Sequence, residues 1–304
     1  MIGVVTKSTG LWYEVLAEGK SRIARLRGKF KLDDRKLTNP IAVGDEVVLK
    51  KNKHAANEWV ITKICDRKNY VIRTSPKKTE HHHLLASNID QGVLIVTLKS
   101  PRTSIGFIDR FLITLEAFRI PAIIIFNKQD LFTAKLESQY NVLKQRYGDL
   151  GYKVTAASFL NADRSSFLSY FQDRKSLLAG HSGAGKSTLV NLLYPDVQQE
   201  VREISSFADK GVHTTTFAEM FYLDQNTAII DTPGIKEMGL SEIEREELSH
   251  YFPEMRAYLG HCKFNNCVHE NEPHCRIKEE VGRKISVERY ESYLSILNTS
   301  DNRR

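Results

Sequence analysis

The chain has 304 residues, a formal net charge of +7 and 41% hydrophobic residues. That length suits two or three domains, each with room for a core, and no apolar run reaches the ~20 residues of a membrane helix. Residues 1–10 lack the basic-then-apolar pattern of a secretion signal, so a cytoplasmic protein with no membrane association is expected.

The charge is uneven. Residues 1–80 hold 18 Lys and Arg against 9 Asp and Glu, whereas the rest hold 26 against 28. A basic N-terminal module on a near-neutral body points to a polyanionic partner. Arg22, Arg25, Arg27, Lys29 and Lys31 recur along one expected strand and the loop after it. Strands are expected at 2–6, 12–16, 21–26, 46–50 and 59–64, where β-branched and aromatic residues alternate between turn signals. Five short strands fit a small Greek-key barrel. The basic charge suits an OB-fold, which commonly binds nucleic acid, although an SH3-like barrel produces the same pattern. Residues 73–88, with His81, His82 and His83, read as a solvated linker.

From residue 91 strands and helices alternate. Continuous apolar runs at 93–98 and 122–126 suit strands buried on both faces of a parallel sheet. Further strands are expected at 153–157, 176–179, 219–223 and 227–230, with helices near 108–118 and 134–147. This is the doubly wound α/β pattern, in which ligands sit at the carboxyl ends of strands. After about residue 240 the pattern becomes helical. Val287, Tyr290, Leu294 and Leu297 fall on one helix face, and Ser286 can cap it. The expected organisation is therefore a barrel over 1–72, a linker over 73–90, an α/β domain over 91–240 and a small helical domain over 241–304.

Three phosphate- and base-reading motifs follow expected strands. Gly180-His181-Ser182-Gly183-Ala184-Gly185-Lys186-Ser187, with Thr188 next, matches GxxxxGK[ST]. Its glycines let backbone N–H groups turn toward phosphate oxygens at a helix N-terminus, Lys186 can neutralise the β- and γ-phosphates, and Ser187 can place its hydroxyl on Mg²⁺. Asn127-Lys128-Gln129-Asp130 matches NKxD. Asp130 can accept from the ring N–H and amine of guanine, which adenine does not offer in that arrangement, and such a site discriminates by on the order of 10⁴. Asn127 is expected to brace the loop, Lys128 to lie along the base, and Ser158 to contribute a backbone contact to the guanine oxygen. Asp231-Thr232-Pro233-Gly234 matches DxxG, with Asp231 on Mg²⁺ through water and the Gly234 N–H at the γ-phosphate. The run 211–216 occupies the place of a switch loop. Thr215 is the candidate to complete the Mg²⁺ shell, and the competing reading is that its threonines simply favour a strand. In Ras-like GTPases the order is phosphate loop, DxxG, NKxD. Here NKxD comes first, so the chain resembles a circularly permuted GTPase. Ile235 stands where Ras-like proteins carry a water-orienting glutamine. A slow intrinsic reaction follows, with either His213 as the catalytic group or a partner supplying the missing function.

Cys262, Cys267, His269 and Cys275 lie within fourteen residues. Three thiolates and an imidazole suit a closed, structural Zn²⁺ site, and this set fits zinc better than an iron–sulfur cluster. The isolated Cys65 reads as a small buried hydrophobe.

Together these residues resemble the ribosome small-subunit-dependent GTPase A (RsgA, or YjeQ) family over essentially the whole chain. The resemblance implies an OB-fold, a permuted GTPase domain and a zinc domain. It also implies GTP/GDP and Mg²⁺ as ligands and a role in late maturation of the small ribosomal subunit, with contacts to its rRNA and stimulation by it. The family's hydrophobic replacement of the glutamine matches Ile235, and its switch histidine matches His213. Val212 departs from the arginine expected before that histidine. The chain is expected to act as a monomer. The rival functions are a nucleic-acid-binding GTP-dependent regulator away from the ribosome and an assembly GTPase of the large subunit. The few residues between Gly234 and the C-terminal domain suggest that relaxation of the switch loops is passed to that domain.

Overall fold

The computed structural model describes residues 1–10, 12–26, 39–52, 58–75, 78–193, 218–232 and 243–298. Alternating burial builds the N-terminal barrel from β1 (Ile2–Ser8), β2 (Tyr13–Ala17), β3 (Lys20–Leu26), β4 (Glu46–Lys51) and β5 (Trp59–Ile64). Their inward residues, among them Val5, Tyr13, Val15, Val47, Leu49 and Ile61, form a separate core. The strands pair in the order β1-β2-β3-β5-β4, with β3 parallel to β5, and β1 closes the barrel by pairing antiparallel with β4. That closed five-stranded order is OB-like and resolves the choice that strand spacing left open.

The stretch expected as a linker is largely a two-stranded antiparallel hairpin, β6 (Tyr70–Ser75) and β7 (Lys78–Ser87). The hydrophilic sequence around Lys77 and His81 hid the apolar ends. Val71, Ile72, Leu85 and Ala86 are buried, and Val71, Leu85 and Ala86 join the main core. Asp45 ties barrel to hairpin. Its wholly buried carboxylate accepts from Arg67 Nε at 2.6 Å and Nη2 at 2.7 Å, from Ser87 Oγ at 2.6 Å and from the Ala42 N–H at 2.8 Å.

The α/β domain holds β8 (Gln91–Val96), β9 (Ala122–Phe126), β10 (Lys153–Ala156), β11 (Lys175–Ala179), β12 (Glu219–Tyr222) and β13 (Ala228–Asp231) in the order β10-β9-β8-β11-β13-β12. All ladders are parallel except β12 with β13. The chain builds one half outward from β8 through β9 and β10, and the other on the far side of β11, running to the outer β12 and returning as β13, so the winding reverses between β8 and β11, where an open α/β sheet opens a crevice. Every residue of β8 is buried. Leu94 and Val96 face a core shared with α1 (Ile105–Ala117) and α2 (Ala134–Asp149). Val93 and Ile95 face a second core with α3 (Ser165–Phe171) and α4 (Lys186–Leu193). The barrel meets this sheet at its edge, where Lys7 of β1 pairs with Glu219 of β12 and Lys7 Nζ reaches Glu219 Oε1 at 3.0 Å.

The C-terminal region comprises 3-10 turns at Leu248–Tyr251 and Pro253–Tyr258, α5 (Arg276–Glu280) and α6 (Val287–Asn298). Ser286 Oγ caps α6 by accepting from the Arg289 N–H at 3.2 Å, as the sequence suggests. The buried face is rotated from the expected one. Val287 is exposed, while Arg289, Tyr293, Ile296 and Leu297 are buried. Arg289 can lie inside because two carboxylates, Asp109 and Glu254, receive its guanidinium. Among the described residues no helix is long and apolar enough to cross a membrane.

Arg67→Ala leaves the Asp45 carboxylate buried without its cation and is expected to destabilise the barrel by about 3 kcal/mol. The chain's two tryptophans, Trp12 and Trp59, both belong to the barrel region, so the loss should be read as a lower urea midpoint in tryptophan fluorescence. An unchanged midpoint would show that the pair contributes nothing net.

Candidate functional site

The loops after β9, β10 and β11 converge at one end of the sheet. Asn127 is buried between them. Its Nδ2 donates to the Ala184 carbonyl at 2.8 Å and its Oδ1 accepts from the Phe159 N–H at 3.1 Å. One amide thus joins the NKxD loop, the glycine-rich loop and the loop carrying Ser158. The Gln129 N–H adds a bond to the Ala157 carbonyl at 2.9 Å. Lys128 holds a left-handed backbone (φ 64°), which turns the chain sharply after β9. Asp130 is exposed at the rim, where a ligand can reach it. Ser158 Oγ is a buried atom with no hydrogen-bond partner among the described residues, a polar group suited to meeting a ligand.

The glycine-rich loop runs from β11 into α4. Gly180 (φ 149°) and Gly185 (φ 109°) adopt conformations that disfavour side chains. A Cβ on Gly180 would lie 2.5 Å from the Ile95 carbonyl oxygen, and one on Gly185 would lie 2.1 Å from Asn127 Nδ2. The missing side chains therefore let the loop lie directly against Ile95 and Asn127. His181, Ser182, Gly183 and Ala184 form the turn, closed by an Ala184 N–H bond to the His181 carbonyl at 3.1 Å. Lys186 Nζ donates to the Gly180 and His181 carbonyls at 2.7 and 3.1 Å, so its charge sits within the loop. Ser187 and Thr188 open α4, with the Ser187 side solvent-facing.

Asp231 ends β13 one strand away. Burial raises its pKa, the charge of Lys186 opposes that rise, and Glu219 adds to it. A half-buried carboxylate near Lys186 suits a hydrated divalent cation. Thr232 Oγ1 is buried without a partner among the described residues. His213, Thr215 and Gly234, together with Val212 and Ile235, lie outside the described residues.

The motifs do not reveal the wall of this crevice. The loop 97–104 after β8 is closed by the Thr103 N–H bond to the Thr97 carbonyl at 2.8 Å and the Thr97 N–H bond to Thr103 Oγ1 at 3.1 Å. Lys128 Nζ donates to the Ser100 carbonyl. A Cβ on Gly183 would lie 3.6 Å from Pro101 Cδ. Phe107, in the first turn of α1, stacks on the His181 ring with centroids 4.1 Å apart. The capping hydroxyl of Ser104, which accepts from the Phe107 N–H at 3.2 Å, was the available sequence signal.

Cys262, Cys267, His269 and Cys275 come together with their ligand atoms all within 4.8 Å of one another. Cys262 Sγ and Cys275 Sγ are 3.8 Å apart, and His269 Nδ1 lies 3.5 and 3.4 Å from them. Arms of ~2.3 Å to sulfur and ~2.0 Å to nitrogen at tetrahedral angles give edges of about 3.5–3.8 Å, so the set fits a four-coordinate metal such as zinc. Burial pushes the Cys267 thiol up to about 12, raises Cys275 and lowers His269. A cation must therefore displace protons from the thiols while meeting an imidazole already held neutral. His269 has a left-handed backbone (φ 61°) and is clasped on both sides. Glu272 accepts from the Val268 and Glu270 N–H groups at 2.8 and 2.9 Å, while Tyr290 and Tyr293 donate to the His269 and Val268 carbonyls at 2.7 and 2.6 Å.

An OB-like barrel joined to a doubly wound sheet, with the guanine tetrapeptide preceding the phosphate loop, defines a circularly permuted GTPase. The model of the RsgA GTPase matches residues 64–241 and that of the RsgA N-terminal domain residues 2–57. The chain belongs to the RsgA GTPase family. It is 52% identical to the small ribosomal subunit biogenesis GTPase RsgA of Cytophaga hutchinsonii, with all of both chains covered. Identity to the protein of the same name from Flavobacterium psychrophilum is 43%, over 99% of this chain and 94% of that one. The crystal structure of YjeQ from Thermotoga maritima matches with a TM-score of 0.76 at 30% identity, over 100% of this chain and 99% of that one. YloQ, described as a circularly permuted GTPase, matches with a TM-score of 0.72 at 28% identity, over 100% and 96%. Membership implies GTP and GDP as ligands, with Mg²⁺.

Gly185→Ala is expected to push Asn127 out of its bridge and to lower guanine nucleotide affinity at least tenfold by fluorescence titration; native affinity would mean the loop tolerates the methyl. Glu272→Ala should loosen His269 and weaken zinc about 10–100-fold in chelator competition, with Glu272→Gln recovering part. Identical affinity in all three proteins would remove Glu272 from the metal site.

Proposed function

We propose that the chain hydrolyses GTP to GDP and phosphate in late maturation of the small ribosomal subunit, docked on its rRNA and stimulated by it. The Asn127 bridge between the base-reading and phosphate loops is the observation that carries this reading, because it makes one ligand site from segments 57 residues apart. The relatives named small ribosomal subunit biogenesis GTPases support the assignment of the partner.

In this reading Asp130 selects guanine, Lys128 lines the base and Ser158 meets its oxygen. The N–H groups of residues 180–187 and the Lys186 ammonium hold the phosphates. Ser187, Thr215 and Asp231 hold Mg²⁺, Thr188 supports the α-phosphate side, and the Gly234 N–H senses the γ-phosphate. Bound Mg²⁺ supplies charge neutralisation to the phosphate oxygens. Ile235 offers no hydrogen bond to water, so His213 or a group from the subunit orients the nucleophile. Zn²⁺ on the four Cys and His ligands orders the C-terminal domain. The barrel, 1–72, meets RNA through the outward side of β3, on which exposed Arg25 stacks 3.4 Å from Trp12, a pairing of charge and aromatic surface suited to phosphates and bases. The permuted domain over 91–240 and the zinc domain over 241–304 complete a cytoplasmic monomer.

GTP turnover measured with and without purified small subunits tests the function. Stimulation of at least tenfold by small subunits, and little by large ones, is expected; equal response to both subunits, or to neither, would overturn the partner. Asp130→Asn should lower GTP affinity on the order of 100-fold and favour xanthosine nucleotides, because the partner presented to the ring changes from an acceptor to a donor. Undiminished guanine preference in a competition assay would contradict the role given to Asp130.

A further inference from the structure

Helix α1 has three differently occupied faces. Ile108, Phe111, Leu112 and Leu115 pack into the sheet core. Phe107, fixed at the first turn by the Ser104 cap, stacks on His181 of the phosphate loop. Asp109, Ile113 and Glu116, spaced i, i+4 and i+7 on one stripe, all meet the C-terminal domain. Asp109 Oδ1 receives Arg289 Nη1 at 2.5 Å and the Tyr147 hydroxyl at 2.8 Å, Ile113 sits in the C-terminal core, and Glu116 pairs with Arg256. Arg289, 1% exposed, also gives Nε to Glu254 at 2.6 Å.

These contacts are stiff. A buried guanidinium held by two carboxylates cannot slide without leaving charge unpaired in a low-dielectric interior, and a packed core shifts between discrete arrangements rather than stretching. Any rotation of α6 must therefore carry Asp109, and with it the first turn of α1 two residues away. Through Phe107 that turn rests on the loop that holds the phosphates.

Resting on the GTPase reading above, we propose that α1 couples the C-terminal domain to the nucleotide: the Arg289–Asp109 clasp sets the pose of α1, and Phe107 is the positioning residue that passes this pose to the phosphate loop at His181. A partner that grips the C-terminal domain thereby changes guanine nucleotide affinity, and by linkage the nucleotide changes the grip of the domain. This route runs through the folded helix and is separate from the covalent connection after Gly234.

Release of a fluorescent GDP from the full-length, zinc-loaded protein tests it in four versions: wild type, Arg289→Lys, Phe107→Leu and the double variant. Arg289→Lys keeps the charge but loses the fork, and should change the release rate at least fivefold. In the Phe107→Leu background the same substitution should change it less than about twofold. A merely structural clasp would lower thermal stability in both backgrounds and leave release untouched. Unchanged release in Arg289→Lys, or an equal factor in both backgrounds, would overturn the coupling. If Arg289→Lys does not fold, Glu254→Gln takes its place in the same comparison with the same criteria. Failure of the wild type to bind GDP would instead sink the nucleotide reading itself.

Discussion

The side-chain amide of Asn127 is the contact on which the site depends. It uses its donor on Ala184 and its acceptor on Phe159, so the loops after β9, β10 and β11 share one buried hinge pin. A carboxylate in its place would repel the Ala184 carbonyl, and a longer amide would meet Gly185, whose missing side chain makes the room. Permutation leaves this junction intact, since sheet order, not chain order, brings the three loops together. Cutting an α/β domain at a loop and joining its old ends preserves each strand's neighbours, and the observed order β10-β9-β8-β11-β13-β12 keeps the crevice between β8 and β11.

Much of this was legible because the motifs are local. Glycines, lysine and serine at fixed spacing report a strand–loop–helix whatever surrounds them, and three cysteines beside a histidine report a metal loop for the same reason. Alternation reported the barrel strands but not their pairing, since the OB-like order rests on ladders between β3 and β5 and between β1 and β4 that no short pattern encodes. The hairpin at 70–87 was hidden by averaging, because a hydrophilic tip outweighed Val71, Ile72, Leu85 and Ala86. Arg289 went unnoticed because periodicity counts arginine as a solvent residue, and its partner Asp109 lies 180 positions away. Phe107 and Pro101 belong to no motif; a wall acts by shape, and shape is absent from a linear pattern.

Nucleotide and metal regions solve a similar problem by different means. Each must hold backbone in conformations that side chains resist. Around the phosphates, glycine supplies the freedom and neighbours supply the walls. Around His269, a residue that is not glycine takes the left-handed conformation, and Glu272, Tyr290 and Tyr293 hold it there from both sides of the peptide. Partial burial works against ionisation of Glu272, but the N–H donors outweigh it and hold the carboxyl below its ordinary range. The carboxylate is thus charged and engaged, an organiser of the loop rather than a spare metal ligand.

The seam between barrel and sheet carries a consequence of its own. β12 is the antiparallel outer strand of the α/β sheet, and β1 lies along it at Lys7 and Glu219. An outer strand left bare offers its peptide groups to any passing chain. The barrel therefore acts as a guard rail where it meets that strand, and dissecting the two apart would leave a fragment with a self-adhesive border.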